Sequence, residues 1–207
     1  MLIIKHRINT IEELKLTPKE LGVEIDIRPE GNRLILNHDP HQGGEDFEQW
    51  LNYYQHAFVI LNIKSEGIEK RVIEIMDKRN LKNYFLLDVT PPFLTKLAKQ
   101  GYSRLCVRAS PFEPINSSLA YAKAFPGKFS WVFIDVMTKE EGKTQLILNL
   151  KRYQKLKKEG YKICLVSPEL LGREDEIEKY QKKIEKEKIM LDAVLTKKPD
   201  IWKQNKR

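Results

Sequence analysis

Two histidines, an arginine and a carboxylate pair fall within or at the ends of short apolar runs. His6 and Arg7 close the first run, Leu2-Ile3-Ile4-Lys5. Glu24 and Asp26 lie inside the second, Val23-Glu24-Ile25-Asp26-Ile27. In an extended strand residues two apart share a face, so the two carboxylates project together while Val23, Ile25 and Ile27 project the other way. Two buried carboxylates side by side repel unless something neutralises them. A hard divalent cation does so with oxygen ligands. His38 follows a turn-and-strand segment and would return over the same end. Asp88, Arg108 and Asp135 close or lie on later apolar runs. The blander readings stand beside these. Glu-x-Asp also fits an exposed strand edge, a lone histidine also fits a structural role, and the later three charges also fit an ion-pair layer.

The elements that must hold these residues alternate. Eight strand-type runs read as Leu2 to His6, Val23 to Arg28, Phe58 to Lys64, Tyr84 to Val89, Arg104 to Ala109, Trp131 to Met137, Lys162 to Ser167 and Ala193 to Thr196. Several are apolar at every position, as in Phe85-Leu86-Leu87, which is the pattern of parallel strands covered on both faces. Helical spacing fills the gaps. Glu66 to Arg79 aligns Ile68, Val72, Ile75 and Met76. Lys139 to Glu159 aligns Leu146, Leu148, Leu150, Tyr153 and Leu156. Glu174 to Ile189 aligns Ile177, Tyr180, Ile184 and Ile189. Pro91-Pro92 suits a first helical turn, and Gly101 and Gly160 suit helix ends.

Eight βα units in series predict a compact (β/α)8 barrel, an α/β fold of a single domain over residues 1–207. An open doubly wound sheet is the competing architecture. No Gly-x-Gly-x-x-Gly follows the first strand, which disfavours a dinucleotide-binding version. One segment breaks the rhythm. Pro29-Glu30-Gly31-Asn32 reads as a turn and Arg33 to Asn37 as a short strand, so strand two continues into a small β-hairpin. A helix over Glu45 to Tyr54 follows.

Composition narrows the class. The chain has 207 residues, 41% hydrophobic and 32% charged with mixed sign, so it can bury a core and does not read as disordered. No apolar run approaches a membrane span, and the first residues lack a basic stretch followed by a long apolar one, so a cytoplasmic protein is the expectation. Cys106 and Cys164 sit in separate apolar runs without metal-ligand spacing, and read as buried reduced thiols. The net charge is +8, and residues 151–207 carry 17 Lys and Arg against 10 acids. Much of that excess interleaves Lys with Glu over residues 179–188, the pattern of a solvated helix face, and no aromatics alternate with it to stack bases. Nucleic acid is therefore disfavoured as a partner, while attraction of small anions remains open. Oligomeric state is not legible.

From His6 to Pro40 the chain resembles the glycerophosphodiester phosphodiesterase family, within the wider group of phosphatidylinositol-phospholipase-C-like and sphingomyelinase-D-like barrels. That family opens with His-Arg, then Asn-Thr at a helix start, Glu-x-Asp on strand two, and His-Asp after a short hairpin. Here these are His6-Arg7, Asn9-Thr10, Glu24-Ile25-Asp26 and His38-Asp39, in that order. The closing strand, with Thr196 and then Pro199-Asp200, is similar as well. The resemblance implies a TIM barrel with His6 and His38 catalytic, Glu24 and Asp26 ligating a divalent metal (Mg2+ foremost, Ca2+ or Mn2+ also admissible), and Arg7 at a phosphate-binding position. Two departures stand out. The insertion between His-Arg and Asn-Thr is almost absent. On strand three the family's acid-x-Lys becomes Asn62-Ile63-Lys64. Asn62 keeps a carbonyl oxygen for a metal but no charge, and Lys64 matches the lysine facing the phosphate. Asp88 could replace the missing carboxylate, and Arg108 could hold a phosphate or pair with an acid.

The function implied is metal-dependent cleavage of a small soluble phosphodiester by histidine acid–base catalysis, through a cyclic phosphate where the substrate carries a neighbouring hydroxyl. The alternative is a catalytically weakened barrel that binds a phosphate ligand or regulates, which Asn62 and the short first loop favour. A nucleic-acid-binding module built on the basic C-terminal part is the third reading.

Overall fold

The structure, a computed structural model, describes residues 1–137 and 146–203. Eight parallel strands close on themselves: β1 (Leu2–Lys5), β2 (Gly22–Glu30), β5 (Phe58–Ile63), β6 (Tyr84–Leu87), β7 (Leu105–Ala109), β8 (Phe129–Ile134), β9 (Lys162–Val166) and β10 (Ala193–Thr196). The hydrogen-bonded order runs β1-β10-β9-β8-β7-β6-β5-β2, and β1 pairs back onto β2 at Ile4↔Gly22 and Lys5↔Val23. This is the TIM barrel expected from the alternation, and the open sheet is excluded. Nearly every strand position is buried, because the inner face meets the barrel interior and the outer face meets helices. Closure needs Gly22. A Cβ there would stand 2.9 Å from Ile4 Cγ1 and 3.2 Å from the Phe58 carbonyl oxygen, so a side chain would wedge β1 from β2.

The barrel floor is filled. Phe58, Phe85 and Trp131 meet with ring centroids 5.2 to 5.7 Å apart. β5 and β8 are not neighbours, so the Phe58–Trp131 contact crosses the interior. An aromatic plug near the N-terminal ends of the strands leaves the C-terminal ends as the open mouth, the usual seat of chemistry in this fold.

The hairpin is larger than the sequence suggests. β2 runs on to Glu30 and pairs antiparallel with β3 (Arg33–Leu36), and β3 pairs again with a two-residue β4 (Glu45–Asp46). The helix expected from Glu45 therefore begins later, as α2 (Phe47–Leu51), with the Asp46 side chain accepting from Gln49 N. It also stops short of Tyr54. Gly44 permits the return to β3, since a Cβ there would lie 2.4 Å from the Leu36 carbonyl oxygen.

Helices cover the outside. α1 (Ile11–Leu16) starts with a capping box, in which Thr10 Oγ1 accepts from Glu13 N at 3.1 Å and Glu13 Oε2 from Thr10 N at 3.2 Å. α3 (Glu69–Lys78) buries Val72, Ile73, Ile75 and Met76. α4 (Pro91–Lys99) opens on the two prolines, and Gly101 follows its end at φ +92°. α5 (Ile115–Ala124), absent from the sequence reading, lies between β7 and β8. α6 (Leu150–Lys158) corrects the expected helix from Lys139. Residues 139–145 lie outside the described residues, and 146–149 are not helical, because Asn149 accepts from Arg152 N and caps the helix there. Leu146 and Leu148 are buried from an irregular segment instead. α7 (Ile177–Lys186) buries Ile177 and Tyr180, preceded by a 3-10 turn at Glu174–Glu176. α8 (Pro199–Lys203) is the last described element, and Trp202 packs inside with its Nε1 donating to Ser167 Oγ at 2.9 Å. Cys106 and Cys164 are free and buried. No helix among the described residues is long and apolar enough to cross a membrane.

Candidate functional site

β2 places Glu24 and Asp26 on its inner face, 1% and 0% exposed. β5 lies alongside with Asp26↔Asn62 in register, so Asn62 points to the same interior. Glu24 Oε1 accepts from Asn62 Nδ2 at 2.9 Å, and Glu24 Oε2 accepts from the Arg7 backbone N–H at 2.8 Å. Asp26 Oδ2 accepts from Asn9 Nδ2 at 3.0 Å, and Asn9 Oδ1 accepts in return from Asp26 N at 2.9 Å. Lys64 Nζ stands 3.2 Å from Asp26 Oδ1, and Arg7 Nε 3.9 Å from Asp26 Oδ2. Arg7 takes φ +54°, a conformation costly for a side-chain-bearing residue, and this turns its N–H onto Glu24.

Electrostatically the pair is under-neutralised. Burial, and then the Asp26 carboxylate beside it, push the Glu24 carboxyl up to about 7. The hydrogen bonds from Asn62 and Arg7 and the charge of Lys64 only partly offset this. His6, the first residue past β1, has Nε2 at 4.0 Å from Glu24 Oε2, and its Nδ1 is buried without a hydrogen-bond partner. Burial first, then the positive charges of Arg7 and Lys197, lower its pKa to about 4. At neutral pH His6 is thus an uncharged imidazole beside the Glu24–Asp26 pair.

His38 belongs to the same rim through its backbone. Asn37 N donates to the Asp26 carbonyl at 3.0 Å, so the end of β3 is pinned to β2. The Arg28 guanidinium donates to the His38 carbonyl from Nε at 3.1 Å and Nη2 at 2.7 Å, and from Nη1 to the Lys64 carbonyl at 3.3 Å. The His38 ring is half exposed, with Nδ1 2.8 Å from Asp39 Oδ1. That bond is the main reason the Asp39 carboxyl sits below its usual range, and Arg7 and Arg28 add to it. His6 and Arg7, Glu24 and Asp26, Asn62 and Lys64, and the His38 segment are therefore brought together around the ends of β1, β2 and β5.

Asp88 and Arg108 are not part of that cluster. Arg108 Nε donates to Asp88 Oδ1 at 3.1 Å and Nη2 reaches the same oxygen, while Nη1 binds Asp135 Oδ2. Glu113 lies 3.9 Å away, and the guanidinium stacks over the Phe133 ring. Asp88 Oδ1 is held by Arg108 across the β6–β7 seam, so the side chain is drawn into that pair and no contact joins it to Glu24 or Asp26. Arg108, set among three acids, is likewise taken. The ion-pair layer weighed in the sequence is what the geometry forms.

A divalent cation was expected on Glu24, Asp26, Asn62 and Asp88. Among the described residues, Asp88 included, no group of three or more His, Cys, Asp or Glu side chains is placed to surround a metal. What remains is two carboxylates and the amide of Asn62, whose buried Oδ1 has no hydrogen-bond partner. An orphaned carbonyl oxygen beside a carboxylate that burial keeps from ionising freely suits a hard cation, so the donor set fits with one charge fewer.

Four residues take roles in the site that the sequence reading did not assign them, although Asn9 and Asp39 stand in its quoted motifs. Asn9 holds Asp26 from a loop whose spacing carries no period. Arg28 continues the Glu24–Asp26 face two residues on, a signal that was present. Asp39 braces His38. Lys197, just past β10, acts on His6 through charge alone, and Glu169 Oε1 accepts from its backbone N–H at 3.0 Å.

Among solved structures, a glycerophosphodiester phosphodiesterase from Agrobacterium tumefaciens superposes with a TM-score of 0.65 at 15% identity, covering 97% of this chain and 98% of that one. The chain has the fold of that enzyme. A glycerophosphoryl diester phosphodiesterase from Parabacteroides distasonis matches at a TM-score of 0.51 and 13% identity, over 96% of this chain and 83% of its own. No family model and no curated protein matches the sequence. The similarity is thus carried by the barrel, with very little by overall sequence.

Proposed function

We propose that the chain is a divergent glycerophosphodiester phosphodiesterase-like enzyme, cleaving a small soluble phosphodiester at the mouth formed by β1, β2 and β5. The observation that carries this is the buried Glu24–Asp26 pair with a neutral His6 beside it, in a barrel shared with two phosphodiesterases. Glu24, Asp26 and Asn62 would hold Mg2+, or Ca2+ or Mn2+, and a bound cation supplies positive charge against the non-bridging phosphate oxygens. Arg7 and Lys64 add fixed charge to the same oxygens. His6, uncharged at neutral pH, takes the proton from the nucleophilic hydroxyl, that oxygen bonds to phosphorus, and the bond to the leaving oxygen breaks. His38, braced by Asp39, returns a proton to the leaving alkoxide. A hydroxyl on the substrate itself gives a cyclic phosphate, and water gives hydrolysis.

A second reading has its own support. Asn62 donates to Glu24, and Lys64 already pairs with Asp26, so the site carries less unbalanced negative charge than three carboxylates would. A barrel that binds a phosphate ligand without cleaving it would be built this way. Assaying a phosphodiester panel with Mg2+, Mn2+ and Ca2+ separates the two. Metal-dependent cleavage that His6→Ala and Glu24→Ala both abolish is expected. Saturable phosphodiester binding without turnover under any metal would establish the second reading instead.

A further inference from the structure

Two residues past Asp26 on β2, Arg28 follows Glu24 and Asp26 on the same strand face. Its guanidinium is half-buried, and no carboxylate among the described residues pairs with it. Its donors go to backbone carbonyls instead. Nε and Nη2 fork onto the His38 carbonyl at 3.1 and 2.7 Å, and Nη1 reaches the Lys64 carbonyl at 3.3 Å. The two acceptors follow β3 and β5, which flank β2 on opposite edges. One side chain thus joins the ends of both neighbours. The planar fork of arginine suits this, where a lysine would offer a single point of charge.

The two ends differ in what else holds them. Lys64 N donates to the Ile27 carbonyl at 3.0 Å, which carries the β2–β5 ladder one step further. At His38 the chain has left β3 and entered the turn toward β4. Asn37 N is tied to the Asp26 carbonyl, but among the described residues the two bonds from Arg28 are the only hydrogen bonds to the His38 backbone. Asp39 does not replace them. It holds the His38 ring from the same exposed turn, so it fixes the ring to the loop and not the loop to the barrel.

We propose that Arg28 is a positioning residue for the leaving-group step: it clamps the His38 backbone to the barrel and so sets where the imidazole hands its proton to the departing oxygen. The chemistry rests on the phosphodiesterase reading, while the clamp rests on the hydrogen bonds alone. Loss of the clamp displaces the acid and leaves Glu24, Asp26 and His6 where they are. The cost therefore falls on substrates whose leaving oxygen needs a proton as its bond to phosphorus breaks.

Two esters of glycerol phosphate test it with one nucleophilic arm and two leaving groups: methoxide, which needs a proton, and p-nitrophenolate, which departs without one. Arg28→Ala should lower kcat on the methyl ester by up to about a hundred-fold, the scale of an ångström's misplacement of a catalytic group, and cost far less on the p-nitrophenyl ester. In a His38→Ala background Arg28→Ala should cost nothing further on the methyl ester, since both changes act on the same proton donor. Arg28→Lys keeps the charge, loses the fork and should stay close to the alanine variant. Equal losses on the two esters, additive losses with His38→Ala, or full rescue by Arg28→Lys overturn the positioning role. Backbone relaxation measured by NMR on the full chain reads the clamp without turnover. Arg28→Ala should raise fast motion at the His38 and Asp39 amides and leave those of Ile63 and Lys64 as they were. An unchanged His38 amide overturns the clamp. A wild type that cleaves neither ester removes the phosphodiesterase reading and the leaving-group role with it, and the relaxation data still decide whether Arg28 holds His38.

Discussion

On the β1–β2–β5 side of the mouth, two carboxylates share one close lysine, and burial with mutual repulsion holds Glu24 protonated up to about 7. On the β6–β7–β8 side, one arginine is gripped by Asp88 and Asp135 with Glu113 nearby; burial alone would lower its pKa, and the acids more than reverse that. Both clusters sit at strand ends, and both include a residue forced to positive φ, Arg7 at +54° and Asp88 at +59°. They differ in satisfaction. Around Arg108 the donors and acceptors are matched, so the cluster holds the barrel together. Around Glu24, orphan atoms remain on His6 Nδ1 and Asn62 Oδ1. Unspent polar capacity is what a ligand or a reaction can use, and a sequence containing both clusters does not announce which is which.

Substitution should separate the two sides most sharply in opposite observables. His6→Ala is expected to lower kcat/KM by about 10² to 10⁴, the range for losing a general base, with the unfolding midpoint nearly unchanged. Arg108→Ala should instead cost about 2 to 3 kcal/mol in urea unfolding, below the range for breaking a fully buried pair because the guanidinium is 23% exposed. An Arg108→Ala chain as stable as the wild type would mean that the second cluster is as open as the first.

The contrast also explains what was legible. The eight strands were readable because residues such as Phe85, Leu86 and Leu87 are apolar on both faces, and only parallel barrel or doubly wound sheets ask for that. α5 was not read, since its stripe of Ile115, Leu119 and Ala122 is short and weak, ending in an alanine between polar and small residues. The stripe through Leu146 and Leu148 misled, because buried residues of an irregular segment can fall on helical spacing by accident. In the site, period two put Glu24 and Asp26 on one face, and the resemblance singled them out as the site pair. Neither assigns Asp88, because its role depends on which neighbour it meets across β6–β7. Strand-end position tells that a residue reaches the mouth, and register decides its partner. Asn9 grips Asp26 from a loop, where no periodicity exists to point at it.

The pH dependence of stability should expose the charge imbalance, measured with a chelator present. The Glu24 carboxyl, raised to about 7, contributes stability that is full below about 4.5 and is lost as pH rises through 7. His6, lowered to about 4, works the other way, its contribution being full above about 6.5 and lost as pH falls through 4. Over pH 4.5 to 6.5 the two slopes oppose and partly cancel in the wild type. Glu24→Gln removes the first and leaves the second, so its stability should climb with pH across that window and exceed the wild type at pH 8. A Gln variant that stays less stable than the wild type at pH 8 would show that Glu24 is neutralised after all. That outcome would erase the contrast with the Arg108 side.

Asn62→Asp sharpens the same contrast by adding the third carboxylate. Without divalent cation it should lower the thermal midpoint, since a new buried charge meets Glu24 and Asp26. With Mg2+ or Mn2+ the midpoint should rise by more than in the wild type, because binding to the folded state alone stabilises it in proportion to affinity. Equal metal-induced shifts in the two proteins would mean that Asn62 does not face the cation.

The smallest expected effect comes from Lys197, which touches no proposed ligand and acts on His6 only through space. Burial is the larger cause of the low His6 pKa, with Arg7 next and Lys197 after it. Lys197→Ala should therefore move the acidic limb of the kcat/KM profile upward by only a fraction of the whole displacement from 6.5. The plateau at neutral pH should hold, since His6 is uncharged there with or without the lysine. Added salt discriminates the cause. Lys197 is exposed, so screening should shrink the difference between the variant and the wild type. A salt-independent shift would assign Lys197 to packing around Thr196 and Glu169, and would leave burial as the dominant control on the proton at His6.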